Sequence, residues 1–223
     1  MRKEKLRLWV CATVMIAVAG YLAIGMELKY ESASATPIVE KKVAITFDDG
    51  PNPDYTADLL KGLKERGVSA TFFLLGTEVE KYPELVKQMY EDGHLIGTHS
   101  YQHVNLCNLS DEAAKEQVVK TNELIEAITG ECPQFIRPPF GCWKKNLDYK
   151  TTMIEVLWSI DPLDWNTSNT SVIVKRVLKE VEDGDIILLH DASKSSVDAA
   201  LQIIDQLQKE GYLFVTVEEL ILD

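Results

Sequence analysis

Basic side chains are scarce in this chain: 23 Lys and Arg stand against 35 Asp and Glu, for a formal net charge of −12 and a pI near 4.8. A protein that grips nucleic acid through a broad face needs the opposite sign, so no nucleic-acid partner is expected. Cysteine is equally sparse, four in 223 residues with no Cys-x-x-Cys pair. That excludes a disulfide-built miniprotein and argues against a thiolate zinc site. Internal repeats and low-complexity tracts are absent as well, which sets aside solenoids and disordered tails. What remains, with 46% hydrophobic and 26% charged residues, fits one compact domain.

Charge is missing altogether from Leu8 to Met26, and Arg2, Lys3, Lys5 and Arg7 precede that run. Its 19 residues would reach ~28 Å as a helix, close to the hydrocarbon thickness of a bilayer. The expectation is a basic cytoplasmic segment (1–7), a single transmembrane anchor (8–26), a linker (27–40) and one domain outside the membrane (41–223). The alternative is a cleaved signal, since Ala33-Ser34-Ala35 resembles a small-residue cleavage site, in which case the domain is secreted. Five of the basic and three of the acidic side chains fall in residues 1–35, leaving the rest with 18 and 32, a net of −14.

From Lys41 short β-rich runs alternate with longer amphipathic ones. Strands are expected at 43–47, 70–75, 95–98, 134–137, 154–160, 185–190 and 213–215. Helical patterns cover 55–66, 83–91, 111–129, 171–182 and 196–210, with Gly67, Gly93, Gly130 and Gly211 as stop signals. Strands separated by crossover helices imply a parallel α/β sheet, and about seven units suggest a closed or nearly closed (β/α) barrel, an open doubly wound sheet being the rival.

The polar residues gather at the ends of these strands. Asp48 and Asp49 leave the first strand in Thr46-Phe47-Asp48-Asp49-Gly50-Pro51. His99 and His103, in His99-Ser100-Tyr101-Gln102-His103, are spaced to point the same way on one helical turn and to share a metal. His94, beside Gly93, reads as a turn or core histidine. Arg137 heads the stiff turn Arg137-Pro138-Pro139-Phe140-Gly141, Asp161 and Asp164 precede Trp165, and Ile186–Leu189 is a buried strand ending in His190-Asp191. In barrels functional side chains collect at the carboxyl ends of strands. Together these fragments describe an aqueous metal site with an acid, a base and a cation.

The motifs TFDDGP, HSYQH, RPPFG, DPLDW and LLHD, in this order, resemble those of the polysaccharide deacetylases, carbohydrate esterase family four, from about Lys41 to the C-terminus. The resemblance implies a distorted (β/α) barrel and metal-dependent removal of N-acetyl groups from amino-sugar polymers, peptidoglycan or a chitin-like N-acetylglucosamine polymer. A muramic-acid deacetylase and an inactive sugar-binding relative are the alternatives. By matching positions Asp49, His99 and His103 would hold a divalent metal, zinc first, with cobalt or nickel also suited. Asp48 would be the base, kept ionised by Arg137, and His190 the acid, with Asp164 rather than Asp161 raising its pKa. The backbone N–H of Phe140 would meet the oxyanion, and Tyr101 and Trp165 would touch substrate. Phe140 stands where many relatives carry Tyr, and residues 143–155 are short for the helix usually found there in the family, so one barrel unit is expected to be reduced to a turn. Trp143, Trp158 and Trp165 offer sugar-stacking faces, with core packing favoured for Trp158. A disulfide between Cys132 and Cys142 is one possibility, leaving Cys107 unpaired.

Overall fold

The computed structural model describes residues 40–150 and 152–222. The expected cytoplasmic segment, anchor and cleavage site all lie outside the described residues. Among the described residues no helix is long and apolar enough to cross a membrane. In chain order the elements are β1 (Lys41–Asp48), α1 (Thr56–Arg66), β2 (Thr71–Leu74), α2 (Gly76–Lys81), α3 (Pro83–Glu91), β3 (Leu95–Thr98), α4 (Asp111–Thr129), β4 (Phe135–Ile136), β5 (Ile154–Glu155), α5 (Thr170–Glu180), β6 (Ile186–His190), α6 (Lys194–Lys209), β7 (Tyr212–Val215) and α7 (Val217–Leu222). Local chemistry sets the helix ends. Ser110 caps α4, its hydroxyl accepting from the Ala113 N–H at 3.2 Å, and Gly130 stops the helix at φ 80°.

All strand pairs are parallel, in the order β5-β4-β3-β2-β1-β6, and β7 pairs with the first half of β1 only. After β5 the chain reaches across to β6, where Ile160 bridges Ile187. Residues 154–160 thus touch β4 at one end and β6 at the other, so the parallel α/β sheet curls into an incomplete barrel. The expected strand over 154–160 shrinks to two residues plus that bridge. The ladder stops because the next donor to the Val156 carbonyl would be the nitrogen of Pro138, which carries no proton, and the Arg137 guanidinium takes the carbonyls of Val156 and Leu157 instead.

Alternation along the strands sorts the residues into two layers. Val43, Ile45 and Phe47 of β1, with Ile187 and Leu189 of β6, join Leu59, Leu63, Ile173 and Ile203 in the core between sheet and helices. Each such side chain contributes roughly 1.5–3 kcal/mol on burial. Ala44, Phe73, Phe135 and Val156 instead meet Val217 inside the barrel. The short α7, not anticipated from sequence, closes the bottom of that interior, with the Val217 N–H donating to Thr71 Oγ1 at 3.0 Å. Continuing the same period of two, Thr46 and Asp48 follow Ala44. The register pairs Asp48 with His190 and Thr98 with Ile136, so Asp48, His99, Arg137 and His190 reach the interior at one level, the carboxyl ends of four strands.

The covalent link differs from expectation. Cys142 is bridged to Cys107, with Cα atoms 5.8 Å apart, and Cys132 is free. Residues 142–150, which form turns and no helix, fold back over the segment after His103 rather than over the one before β4. A small cluster of Leu106, Ala114, Val118, Ile136 and Tyr149, with Trp143 packed on it, holds them there, and Trp143 stacks on Tyr149 at 4.5 Å. Trp158 is not a core residue: it is 36% exposed, its ring 5.7 Å from the Arg137 guanidinium. His94 is the core histidine expected, buried against Phe72, accepting from the Ala70 N–H, and pushed down to about 4 chiefly by burial.

Candidate active site

Asp49 sits one residue past β1 in the left-handed region, φ 74°, a cost that functional turns often carry. The conformation turns its carboxylate toward two imidazoles. Asp49 Oδ1 lies 3.6 Å from His99 Nε2 and 3.6 Å from His103 Nε2, and this buried oxygen has no hydrogen-bond partner. The two histidines meet through a loop, not the helical turn their spacing suggested, since Ser100 and His103 both have positive φ, 69° and 54°. The His103 N–H donates to Ser100 Oγ, and the rings stand 5.1 Å apart.

The donor chemistry fits a divalent metal. Ligand atoms around one tetrahedral zinc sit roughly 3.3–3.6 Å from one another. The atoms offered by Asp49, His99 and His103 lie within 4.8 Å of each other. His99 Nδ1 is 2.5 Å from the carbonyl of Arg137, so Nδ1 carries the proton and Nε2 keeps its lone pair facing Asp49 and His103. Burial lowers the pKa of His99, against the pull of Asp48 and Asp49, and favours the neutral ring that a metal requires.

Asp48 stands beside this triad but is held by other partners. Its Oδ1 accepts from Arg137 Nη1 at 2.8 Å, and its Oδ2 lies 3.9 Å from His99 Nε2. Arg137 is fully buried. Its Nη1 also donates to Thr46 Oγ1 at 2.7 Å, and its guanidinium lies 4.4 Å above the Phe73 ring. Burial lowers the Arg137 pKa, and the charge and hydrogen bond of Asp48 oppose that.

Across the triad, His190 Nε2 lies 4.0 Å from Asp49 Oδ2. The Asp164 carboxylate grips His190 twice: Oδ1 accepts from Nδ1 and Oδ2 from the backbone N–H, each at 2.8 Å. Burial opposes the imidazolium, yet the Asp164 hydrogen bond and charge, with the charges of Asp48 and Asp49, push His190 up to about 9. Asp161 spends its Oδ1 on the Leu163 N–H and helps shape the turn that presents Asp164.

Phe140 and Trp165 are 67% and 64% exposed, so both offer free aromatic surface. Phe140 is left-handed at φ 59°, and its ring meets His103 edge-on at 4.9 Å. Tyr101 is engaged elsewhere: its hydroxyl donates to Glu80 Oε2 at 2.7 Å and Lys120 covers its ring at 3.6 Å. Its position within the HSYQH run made it look like a substrate contact. The loop instead turns it toward α2 and α4.

Two buried groups escaped the sequence reading of roles. Asp191 accepts a hydrogen bond from Thr56, whose Oγ1 in turn accepts from the Asn52 N–H at 2.7 Å. This pins the turn that follows Asp49. A Cβ on Gly50 would come within 2.5 Å of Asp191 Oδ2, so only glycine fits there. Burial pushes the Asp191 carboxyl up to about 6. Its signal was an acid closing an otherwise apolar strand. The second group is Thr46, whose hydroxyl nothing in the sequence distinguishes from that of an ordinary strand threonine.

Comparison with known proteins gives a consistent picture. The sequence profile of the family described as polysaccharide deacetylase matches residues 36–156. The peptidoglycan-N-acetylmuramic acid deacetylase PdaC of Bacillus subtilis is 42% identical over 181 residues, 81% of this chain and 39% of that protein. A peptidoglycan-N-acetylglucosamine deacetylase of Bacillus cereus is 40% identical over 195 residues, 84% of this chain and 71% of that one. The solved structure of PdaC superposes with a TM-score of 0.78, covering 82% of this chain and 90% of the other. A pseudoenzyme from Bacillus anthracis, 30% identical, superposes with a TM-score of 0.74 over 82% of this chain and 66% of its own. This chain thus spans well under half the length of PdaC and most of that of the Bacillus cereus enzyme. Matched by profile over more than half its length and by relatives over four fifths of it, the chain belongs to the polysaccharide deacetylase family.

Proposed function

We propose that this chain is a metal-dependent hydrolase that removes N-acetyl groups from the amino sugars of peptidoglycan. One observation carries the reading: an unpartnered carboxylate oxygen facing two imidazoles, flanked by a carboxylate tied to an arginine and an imidazole tied to a carboxylate. Asp49, His99 and His103 would hold the ion, zinc by preference for two neutral imidazoles and one carboxylate, with cobalt or nickel also suited. A bound divalent metal supplies polarisation of the acetyl carbonyl and acidification of a water molecule.

The protein residues do the rest. Asp48, held by Arg137 through a hydrogen bond of 2.8 Å, takes the proton from the attacking water. The backbone N–H of Phe140 donates to the oxygen on which negative charge develops. His190, protonated through Asp164, delivers its Nε2 proton to the departing amine, so the C–N bond breaks to give acetate and a free amino sugar. Phe140 and Trp165 provide apolar faces for the sugar chain. Both glucosamine and muramic acid remain candidates for the deacetylated sugar, because the two relatives of nearly equal identity are named for one each. An inactive sugar-binding protein is the competing reading, and the complete set of acid, base and three ligand side chains speaks against it.

We also propose that residues 8–26 anchor the chain in the cell membrane with residues 41–223 outside. Recovery of a carboxy-terminally tagged protein from the medium, with an amino terminus near Thr36, would replace the anchor by a cleaved signal. The activity is tested by acetate release from peptidoglycan and from chitin oligomers with and without a chelator, using the full chain. Metal-dependent release from peptidoglycan is expected, and release from neither polymer would refute the reading.

A further inference from the structure

Thr46 lies two residues before Asp48 on β1, fully buried on the barrel's interior face. Its hydroxyl proton is committed, because Oγ1 donates to the carbonyl of Ile187 on β6 at 2.8 Å. That orientation leaves a lone pair for Arg137, and Nη1 donates to it at 2.7 Å. The same nitrogen donates its other proton to Asp48 Oδ1 at 2.8 Å. The remaining hydrogen bonds of the guanidinium run to the carbonyls of Val156 and Leu157. A valine would fill the volume of threonine and suit a strand at least as well. What valine lacks is the acceptor.

We propose that Thr46 is a positioning residue for the deacetylation base, setting the rotation of the Arg137 guanidinium that aims Asp48. The inference rests on the deacetylase reading above. With Thr46 in place both Nη1 protons are fixed, one on a strand-anchored hydroxyl and one on the carboxylate. Without it, one buried proton of a cation has no acceptor, and the guanidinium, still held at Nε and Nη2 by the carbonyls of Val156 and Leu157, pivots on those bonds and shifts Nη1 against Asp48 Oδ1. Asp48 Oδ1 then turns with it, and Oδ2, which faces His99, leaves its place. The metal triad does not touch Thr46 and should be unaffected.

The test compares Thr46→Val and Thr46→Ser in the full chain. Outer partners of catalytic groups are worth about 10- to 100-fold in activity. Thr46→Val is therefore expected to lower kcat for acetate release by that factor, with KM and metal stoichiometry unchanged. Thr46→Ser keeps Oγ1 and should restore most of kcat. Side-chain ¹⁵N spectra of labelled arginine give a readout independent of turnover. The Arg137 η-nitrogen protons should be protected from exchange in wild type and in Thr46→Ser, and lose protection in Thr46→Val. Wild-type kcat in Thr46→Val, equal damage in Thr46→Ser, or metal loss in step with activity would overturn the inference. If the wild-type protein releases no acetate from either polymer, the deacetylase reading falls, and the arginine spectra still decide whether Thr46 holds the guanidinium.

Discussion

Replacing Asp164 by Asn should convert a broad pH profile into one that fails above neutrality. His190 titrates at about 9 against an ordinary 6.5, and the Asp164 carboxylate supplies two hydrogen bonds of 2.8 Å and the nearest negative charge. Asparagine keeps the shape and an acceptor for Nδ1 but removes the charge, while the burial that disfavours the imidazolium stays. The His190 pKa should therefore return to the ordinary value or below, moving the alkaline limb of kcat down by at least ~2 pH units. At pH 8 the protonated fraction falls from about nine tenths to about 3%, a loss of ~30-fold, whereas at pH 6 most of the activity survives. The raised pKa also stabilises the fold. Its contribution is complete below the ordinary 6.5 and disappears as pH rises through about 9, an interval worth roughly 3 kcal/mol. Urea unfolding of the metal-free protein across that interval should show the decline in wild type and little of it in Asp164→Asn. Asp161→Asn is the control, since Asp161 bonds only its own turn. An alkaline limb unmoved in Asp164→Asn would refute the assignment of His190 as the acid tuned by Asp164.

The neighbouring aspartates should fail differently: Asp48→Asn keeps its metal and loses at least ~10²-fold in turnover, whereas Asp49→Ala, His99→Ala and His103→Ala lose metal as well. Elemental analysis beside acetate release separates them, and a metal-free Asp48→Asn with a metal-loaded Asp49→Ala would exchange their roles. The paired replacement Cys107→Ser and Cys142→Ser opens a link across 35 residues and should cost about 2–5 kcal/mol in denaturant unfolding, while Cys132→Ser should change nothing measurable.

The parts legible in the sequence were those governed by local pattern. Val43 to Phe47 is apolar except for Thr46 and is ended by two acids, which places β1 within two residues of its bounds, and α4 carries both its Ser110 cap and its Gly130 stop, so both elements followed from nearest-neighbour chemistry. The site residues were legible because period-two alternation carries Asp48 and His190 onto the interior face of their strands. What stayed hidden depends on long-range geometry. The partner of Cys142 is chosen by the way residues 142–150 fold over Leu106, and the carbonyls that end β5 are taken by the side chain of Arg137, a residue about 20 positions earlier in the chain. Tyr101 faces away because Ser100 and His103 adopt left-handed backbone that no helical spacing rule anticipates.

Arg137 plays two parts at once. Its guanidinium binds Asp48, and it also satisfies the carbonyls of Val156 and Leu157, where the chain leaves β4 on its way to β6. A side chain here replaces the edge of a β-strand. A chain of this design that had abandoned catalysis, losing Asp48 or a metal ligand, would still need the arginine to satisfy those buried carbonyls. Its presence in a sequence therefore testifies to the fold, and only the carboxylate it holds testifies to turnover.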